Sequence, residues 1–219
     1  MRGRPLLLLA LLAALPAAAR AAGPSRGPDD DGILFGVRGG WALPSGDIAP
    51  GEPLDGLADA KLPLWLELGY RFSGHVRAEI YFELAPMTLA SPCPSGAACS
   101  AFDVRSGLAL QLHPAPRSWL DPWVGFGLGV EYLQATTPIA GGGVAAWQLS
   151  WYGVEVPVEV GLDLAISDVF TLGPYATVSF AQFTSASARP PGGATASGAI
   201  DRRATHGWGQ AGLKMTLKL

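Results

Sequence analysis

The chain has 219 residues, of which 49% are hydrophobic and only 15% are charged, with a formal net charge of −3. A charge content this low is unusual for a soluble domain, and the acidic balance excludes a nucleic-acid-binding surface, which would require a basic patch. The length is sufficient for one all-β domain.

The N-terminal region has the three parts of a secretory signal peptide. Arg2 and Arg4 precede an apolar run at residues 6–15, and Ala19-Arg20-Ala21 fits a small-residue cleavage site. The apolar run is too short to span a bilayer as a helix, and no later segment approaches about 18 consecutive apolar residues. An exported chain this hydrophobic is therefore either a soluble globule or a closed membrane barrel. We predict a cleaved signal peptide at residues 1–21, a flexible leader at 22–31 and a barrel domain at 32–219.

The rest of the chain contains eight segments in which every second residue is apolar. Because successive side chains of a strand point to opposite faces, each segment is predicted to be a β-strand with one apolar and one polar face. In the clearest segment, Val154, Val156, Val158 and Val160 alternate with proline, glutamate and glycine residues. The predicted strands cover residues 33–43, 62–72, 76–84, 101–112, 123–134, 148–166, 169–181 and 207–219.

The connections between these strands differ in length in a nearly regular alternation. Ser73-Gly74 and Ser167-Asp168 are predicted tight turns, whereas the segment at 113–121 is intermediate in length. Pro157 and Pro174 fall inside predicted strands, where each removes a ladder hydrogen bond, so we expect a bulge or kink near each. The long connections are predicted at residues 44–61, 86–100, 135–147 and 182–205.

One strand resembles a pattern that recurs in the small OmpA/OmpX-like outer-membrane β-barrels. Its sequence is Pro122-Trp123-Val124-Gly125-Phe126-Gly127-Leu128-Gly129-Val130-Glu131-Tyr132, within an eight-strand pattern that spans Ile33 to Leu219. The resemblance implies an all-β, eight-stranded antiparallel up-and-down transmembrane β-barrel in the outer membrane of a Gram-negative bacterium. It also implies lipid around the barrel and recognition of the C-terminal strand by the barrel-assembly machinery. The chain ends in Leu219, where the family usually has an aromatic residue.

The polar face of the strands is predicted to line the lumen. It carries charges of both signs and most of the strand glycines, which suit the crowded interior of an eight-stranded barrel but bring no benefit on a wet surface. A soluble, lipocalin-like barrel would have the opposite orientation, with the apolar face around a ligand. The predicted lumen charges are Arg38, Glu67, Arg71, Arg77, Glu79, Glu83, Asp103, Arg105, Glu131, Glu155, Glu159, Asp163, Lys214 and Lys218.

The apolar face carries aromatic residues near the strand ends. Such a recurring set is typical of the two aromatic girdles at the membrane interfaces. The predicted interface aromatics are Trp41, Tyr70, Phe72, Phe102, Tyr132, Tyr152, Phe170 and Phe180.

Cys93 and Cys99 are the only cysteines, and they lie in one predicted outer loop of an exported protein, which favours a disulfide. The histidines form no spaced cluster, so no metal site and no cofactor are predicted. Some eight-stranded relatives modify lipid A with a His and a Ser near the outer leaflet. In this chain only His206 lies at the outer-leaflet end of the predicted barrel, with Ser150 or Ser179 as the candidate partner in such a reaction.

The predicted function is that of a non-enzymatic, monomeric outer-membrane barrel. Its role is structural or lies in surface interactions of the long outer loops, whose ligand the sequence does not identify. Ion pairs are expected to fill the lumen, because burying unpaired charge costs several kcal/mol per ion. A narrow, cation-preferring pore is the alternative, since the lumen acids outnumber the bases. A lipid-modifying enzyme and a soluble periplasmic ligand-binding barrel are further alternatives.

Overall fold

The computed structural model describes residues 31–93, 95, 99–138 and 146–219, so the predicted signal peptide and most of the predicted leader lie outside the described residues. No helix within these ranges is long and apolar enough to cross a membrane. A single short 3₁₀ turn, Leu54–Gly56, interrupts the strands of the described part. The strands are β1 (Gly32–Ala49), β2 (Glu52–Pro53), β3 (Ala58–Lys61), β4 (Leu64–Phe72), β5 (Val76–Leu89), β6 (Ser100–Leu112), β7 (Leu120–Pro138), β8 (Ala146–Ala165), β9 (Phe170–Arg189), β10 (Ala196–Ala199) and β11 (His206–Lys218).

Eight of these strands form one closed antiparallel barrel. Each pairs with its neighbour in the order β1, β4, β5, β6, β7, β8, β9 and β11, and β11 returns to β1, where Val37 lies opposite Met215. The short strands β2, β3 and β10 add to β1, β5 and β9. Because closure leaves no barrel edge unpaired, every strand can satisfy its backbone groups within the sheet. The predicted eight-stranded up-and-down barrel is confirmed.

The two ends of the barrel differ in their connections. At one end, here called the turn end, the chain reverses through residues 73–75, 113–119 and 166–169, and both ends of the barrel sequence lie there. The first of these reversals uses Ser73 and Gly74 with φ of 50° and 73°, as a tight turn requires. The opposite end, here called the loop end, has the longer connections that follow β1, β5, β7 and β9.

Several strands are longer at the loop end than predicted. β1 continues to Ala49, β5 to Leu89 and β9 to Arg189, so large parts of the predicted loops 44–61 and 182–205 are strand. The loop-end part of β9 is rich in Ser and Ala, and the loop-end part of β1 contains Pro44, Gly46 and Asp47. These residues have low β-propensity, and pairing with a neighbouring strand overrides it.

Of the bulge or kink expected near each strand proline, the bulge is wrong at both. The β7–β8 ladder has no pair between Phe126–Val158 and Gly129–Glu155, and the register on both sides of Pro157 is the same. Pro174 interrupts the β8–β9 ladder in the same way. Proline removes one N–H donor, but its φ is compatible with a strand, so the ladder loses a bond without a shift. The register shift in β8–β9 lies instead between Tyr152 and Gly153.

The apolar face of each barrel strand points outward. Val154, Val156, Val158 and Val160 are 42–48% exposed, whereas Glu155 and Glu159, which alternate with them, are buried. A large apolar surface around a closed barrel fits hydrocarbon and not water. This orientation excludes the lipocalin-like alternative, in which the apolar face would surround the axis.

Candidate functional site: the barrel interior and its loop-end mouth

The turn-side half of the lumen holds an ion-pair network centred on Arg38. The Arg38 guanidinium contacts Glu67, and it lies 3.1 Å from Glu79 Oε1 and 3.0 Å from Glu159 Oε2. Arg77 bridges Glu67 and Glu79 at 3.1 and 2.7 Å. With Lys214 Nζ 3.7 Å from Glu67, this turn-side network pairs three cations with three carboxylates.

Uncharged side chains complete the turn-side network. Gln111 donates to Glu79 at 2.9 Å and accepts from Lys214 Nζ at 2.9 Å. The Arg38 guanidinium also lies 5.2–5.3 Å from the ring centres of three aromatic residues, within cation–π range. These rings point into the lumen and belong to Trp65, Trp123 and Tyr175.

A second network lies nearer the loop end and is centred on Arg105. Its guanidinium contacts Asp103 at 2.9 Å, Glu131 at 2.9 Å and Glu155 at 2.8 Å, and donates to Ser179 Oγ at 3.1 Å. Lys61 pairs with Glu83 and Asp103. This loop-side network therefore sets two strong bases against four carboxylates, all of them buried.

Neutral donors offset part of that excess of acid. Tyr81 Oη donates to Glu155 at 2.8 Å, and Trp208 Nε1 donates to Glu131 at 3.0 Å. His206 Nε2 lies 2.8 Å from the other oxygen of Glu131. Hydrogen bonds to a carboxylate stabilise its charged form, so the network can hold its extra acids.

Lys61 is the functional residue that the sequence prediction missed most clearly. It was assigned to a loop, but β3 pairs with both β1 and β5 and carries Lys61 into the lumen, 4.5 Å from the Trp208 ring centre. The inward parity of Trp65 and Glu67, extended back through Pro63, would have placed Lys61 on the inner face.

An apolar cluster, here called the apolar cap, covers the loop-side network. The 3₁₀ turn carries Leu54, which is fully buried, and the ring of Phe183 stacks on His206 with centres 4.1 Å apart. Close-packed apolar side chains leave little space for water. The buried members of the cap are Ala42, Ile48, Leu54, Ala58, Leu133, Phe183 and Trp208.

At the turn end, His113, Asp121 and Asp163 form a buried group. His113 Nδ1 lies 2.8 Å from Asp121 Oδ2, and Arg71 lies 3.9 Å from a carboxylate oxygen of each Asp. One potential ligand atom of each of the three residues lies within 4.8 Å of the others, so among the described residues this group could hold a metal. Burial, assisted by Arg71, lowers the pKa of His113 to about 2, so its imidazole is neutral.

The predicted site residues thus fall into three groups, and a few lie apart from them. Lys218 is half-buried near the turn end, outside both networks. Of the candidate catalytic residues, Ser179 accepts hydrogen bonds from Arg105 and from the Trp208 backbone. Ser150 has the outward parity of β8 and is buried beside Tyr132, so it lies on the opposite side of the barrel wall from His206.

All eight predicted interface aromatics lie on the outer face, and each is exposed or half-buried. Tyr70, Phe72 and Phe170 lie toward the turn end. Trp41 and Phe180 lie nearer the middle of their strands. Three more lie toward the loop end, where Phe102 and Tyr132 have ring centres 6.1 Å apart and Tyr132 pairs with Tyr152.

The predicted disulfide is confirmed. Cys93 and Cys99 are bonded, with Cα atoms 5.8 Å apart, and the bond closes the connection between β5 and β6 at the loop end.

Comparison with known proteins gives structural neighbours only. No protein-family model and no curated sequence matches the chain. A major outer membrane protein from Thermus thermophilus superposes with a TM-score of 0.54 at 11% identity, covering 85% of this chain and 99% of that one. Neisserial surface protein A superposes with a TM-score of 0.51 at 13% identity, covering 85% and 97%. Identities this low show the fold alone, and the apolar outer face independently fits an outer-membrane location. The chain thus has the closed β-barrel fold of these two proteins, which is the fold that its sequence predicts.

Proposed function

We propose that this protein is a non-enzymatic, non-conducting outer-membrane barrel that acts through its loop-end surface. The observation that carries the proposal is the apolar cap, in which Leu54, Phe183 and Trp208 cover an ion-paired lumen. A solute crossing the barrel would have to displace close-packed apolar side chains and then separate buried ion pairs.

The energetics of the lumen favour closure. Arg105 contacts three carboxylates at 2.8–2.9 Å, and Arg38 contacts three more. Removing one partner from a buried pair costs about 3–5 kcal/mol. An ion passing through either network would break several such contacts, so we expect no steady current.

A narrow cation path is the second candidate, because the loop-side network holds four carboxylates and two strong bases. Planar-bilayer recording of the purified barrel separates the two functions. We expect a baseline without stable steps, alongside a general porin that conducts in the same bilayer. A reproducible, cation-selective conductance would overturn the closed-barrel proposal.

The polar contacts of His206 and Ser179 support a structural role for both. His206 Nε2 contacts Glu131, and Ser179 Oγ is an acceptor for Arg105 and for a backbone N–H. These interactions do not form a Ser–His pair of the kind that activates a nucleophile. We expect purified protein to release no fatty acid from phospholipid or lipopolysaccharide and to transfer no acyl chain. Either activity would contradict the proposal.

Lipid is the partner of the outer face, and insertion through the C-terminal strand β11 by the barrel-assembly machinery is part of the proposal. Fractionation should place the protein in the outer membrane, and the unheated protein should migrate faster on a gel than the boiled one. Light scattering in detergent should give the mass of one chain. A dimer mass, or unchanged migration on heating, would count against the monomeric closed barrel.

A further inference from the structure

A β-bulge in β9 changes which side chains face outward above the barrel. Gly153 lies opposite Phe183, but the next residue of β8, Tyr152, lies opposite Ser185, so Thr184 is the additional residue. Below Thr184 the odd-numbered residues of β9 point inward, and above it they point outward. Bulges often re-aim side chains near functional sites.

The bulge brings hydroxyl and amide groups of three strands onto one outward face. Ser185 lies opposite Tyr152, and Ser187 lies opposite Ser150, which in turn lies opposite Gln134 of β7. β10 extends the same face, with Ser197 opposite Ser187. This surface, here called the hydroxyl patch, is defined by Tyr132, Gln134, Ser150, Tyr152, Ser185, Ser187 and Ser197.

The hydroxyl patch is partly ordered by its own hydrogen bonds. Tyr132 Oη donates to Gln134 Oε1 at 2.9 Å and lies 3.2 Å from Ser150 Oγ, and Gln148 Nε2 donates to Gln134 at 2.8 Å. None of these contacts uses the hydroxyls of Ser185, Ser187 or Ser197. Each of these three hydroxyls can both donate and accept, so each can serve a ligand.

A cavity of about 330 Å³ opens on this patch between Tyr132, Tyr152, Ser150 and Ser197. Its volume is near the lower limit of small-molecule sites, which measure roughly 300–1,000 Å³. The residues that line it include hydroxyls and the tyrosines Tyr132 and Tyr152, and none of them carries a charge. A phosphate or carboxylate would call for Arg or Lys in the lining. Arg189, the next outward residue of β9 after Ser187, lies opposite Gln148 and is not among the lining residues, so the lining itself favours a neutral, hydroxyl-rich ligand.

The position of the patch indicates where such a ligand would come from. Tyr152 and Tyr132 continue, along the same outward face, from the lipid-facing residues Val154 and Val130. The residues of opposite parity on these strands include Leu149, Ala188 and Ala196, which line a second opening together with Ser187 and Ser197. The hydroxyl patch therefore lies on the side of the strands that continues the lipid-facing surface.

We propose that the hydroxyl patch binds the neutral sugar head group of a glycolipid in the outer leaflet. This inference rests on the proposed function and names the ligand class of the protein's loop-end surface. Aromatic side chains at this level suit the boundary between acyl chains and head groups. The serines and Gln134 supply hydrogen bonds to the sugar above them.

Native mass spectrometry from mixed micelles tests the proposal with digalactosyldiacylglycerol and phosphatidylcholine of matched acyl chains as probes. We expect the barrel to retain the glycolipid preferentially. The triple variant S185A/S187A/S197A should weaken that retention, by about fivefold for each ligand hydrogen bond lost. S106A is the matched control, because Ser106 lies on the outward face of β6 among apolar residues and away from the patch. It should bind as wild type does.

Three outcomes overturn the inference. These are equal retention of the two lipids, unchanged retention in the triple variant while S106A also binds normally, and binding of the free digalactoside as tight as that of the glycolipid. The last would assign the site to a free glycan. Heat-modifiable migration shows that each variant is folded. If the glycolipid is not retained preferentially and the bilayer recording shows no current, only this inference is wrong. A steady current contradicts the proposed function, whatever the result with the glycolipid.

Discussion

Replacing Arg105 with methionine should destabilise the barrel strongly, because this residue holds the loop-side network together. Its guanidinium is buried and contacts Asp103, Glu131 and Glu155. Methionine fills much of the volume of the arginine stem, so R105M removes mainly the charge and its hydrogen bonds. Lys61 would then be the single strong base beside four carboxylates.

The magnitude follows from what remains at each carboxylate. Removing one partner of a buried ion pair costs about 3–5 kcal/mol. Asp103 keeps Lys61, Glu131 keeps His206 and Trp208, and Glu155 keeps the Tyr81 hydroxyl. Because each retains a partner, we expect a loss near the lower end, about 3 kcal/mol.

The double variant R105M/E155Q tests whether charge is the cause. It removes one acid together with the base, and an amide oxygen can still accept from Tyr81. Replacing a buried ion pair by neutral groups of similar volume is often close to neutral. The double variant should therefore recover more than half of the loss.

Urea unfolding in lipid vesicles, followed by the heat-modifiable gel shift, measures both free energies of unfolding. R202M is the control, since Arg202 is exposed beyond β10 and its loss should leave the midpoint unchanged. A wild-type midpoint for R105M would refute the reasoning. So would a double variant no more stable than the single one, because the loss would then come from packing.

Three further predictions concern the outer face, the lumen glycines and the turn end. V158R should cost about 2–4 kcal/mol in vesicles, because Val158 faces hydrocarbon. G129A should destabilise the barrel because the added Cβ would meet the Tyr81 hydroxyl, whereas G209A should be silent, since nothing lies within 4 Å of a Cβ there. Relative to H113N, wild type should lose up to about 1.4 kcal/mol per pH unit below about 6.5, because the unfolded imidazole of His113 takes up a proton there whereas the buried imidazole, with its pKa lowered to about 2, stays neutral.

Each of these has a result that would contradict it. Equal unfolding midpoints for V158R and wild type in vesicles would mean that Val158 does not face lipid. Equal midpoints for G129A and G209A would mean that the lumen can accept a methyl group. A wild-type barrel that gains stability on acidification, relative to H113N, would mean that the carboxylate of Asp121 holds an imidazolium.

Alternation along the sequence determined the barrel and its two faces. In Val154 to Val160 an aliphatic residue at every second position assigned one face to lipid, and Glu155 and Glu159 followed to the other. The period of a strand is two, so parity is a local property that a single segment can reveal. The disulfide was also readable, because Cys93 and Cys99 are the only cysteines and lie in one connection.

Only the tertiary structure decided what closes the loop end and what lies on its surface. Leu54 reaches the interior on the 3₁₀ turn, and β3 extends the inner face to Lys61 by pairing with β1 and β5, so the parity of Lys61 has a meaning only once that long-range pairing is known. Likewise Thr184 is an additional residue only in relation to the register of β8, and one such residue reverses the parity of β9 from Ser185 onward. Parity can be read within a strand, but register exists only between strands.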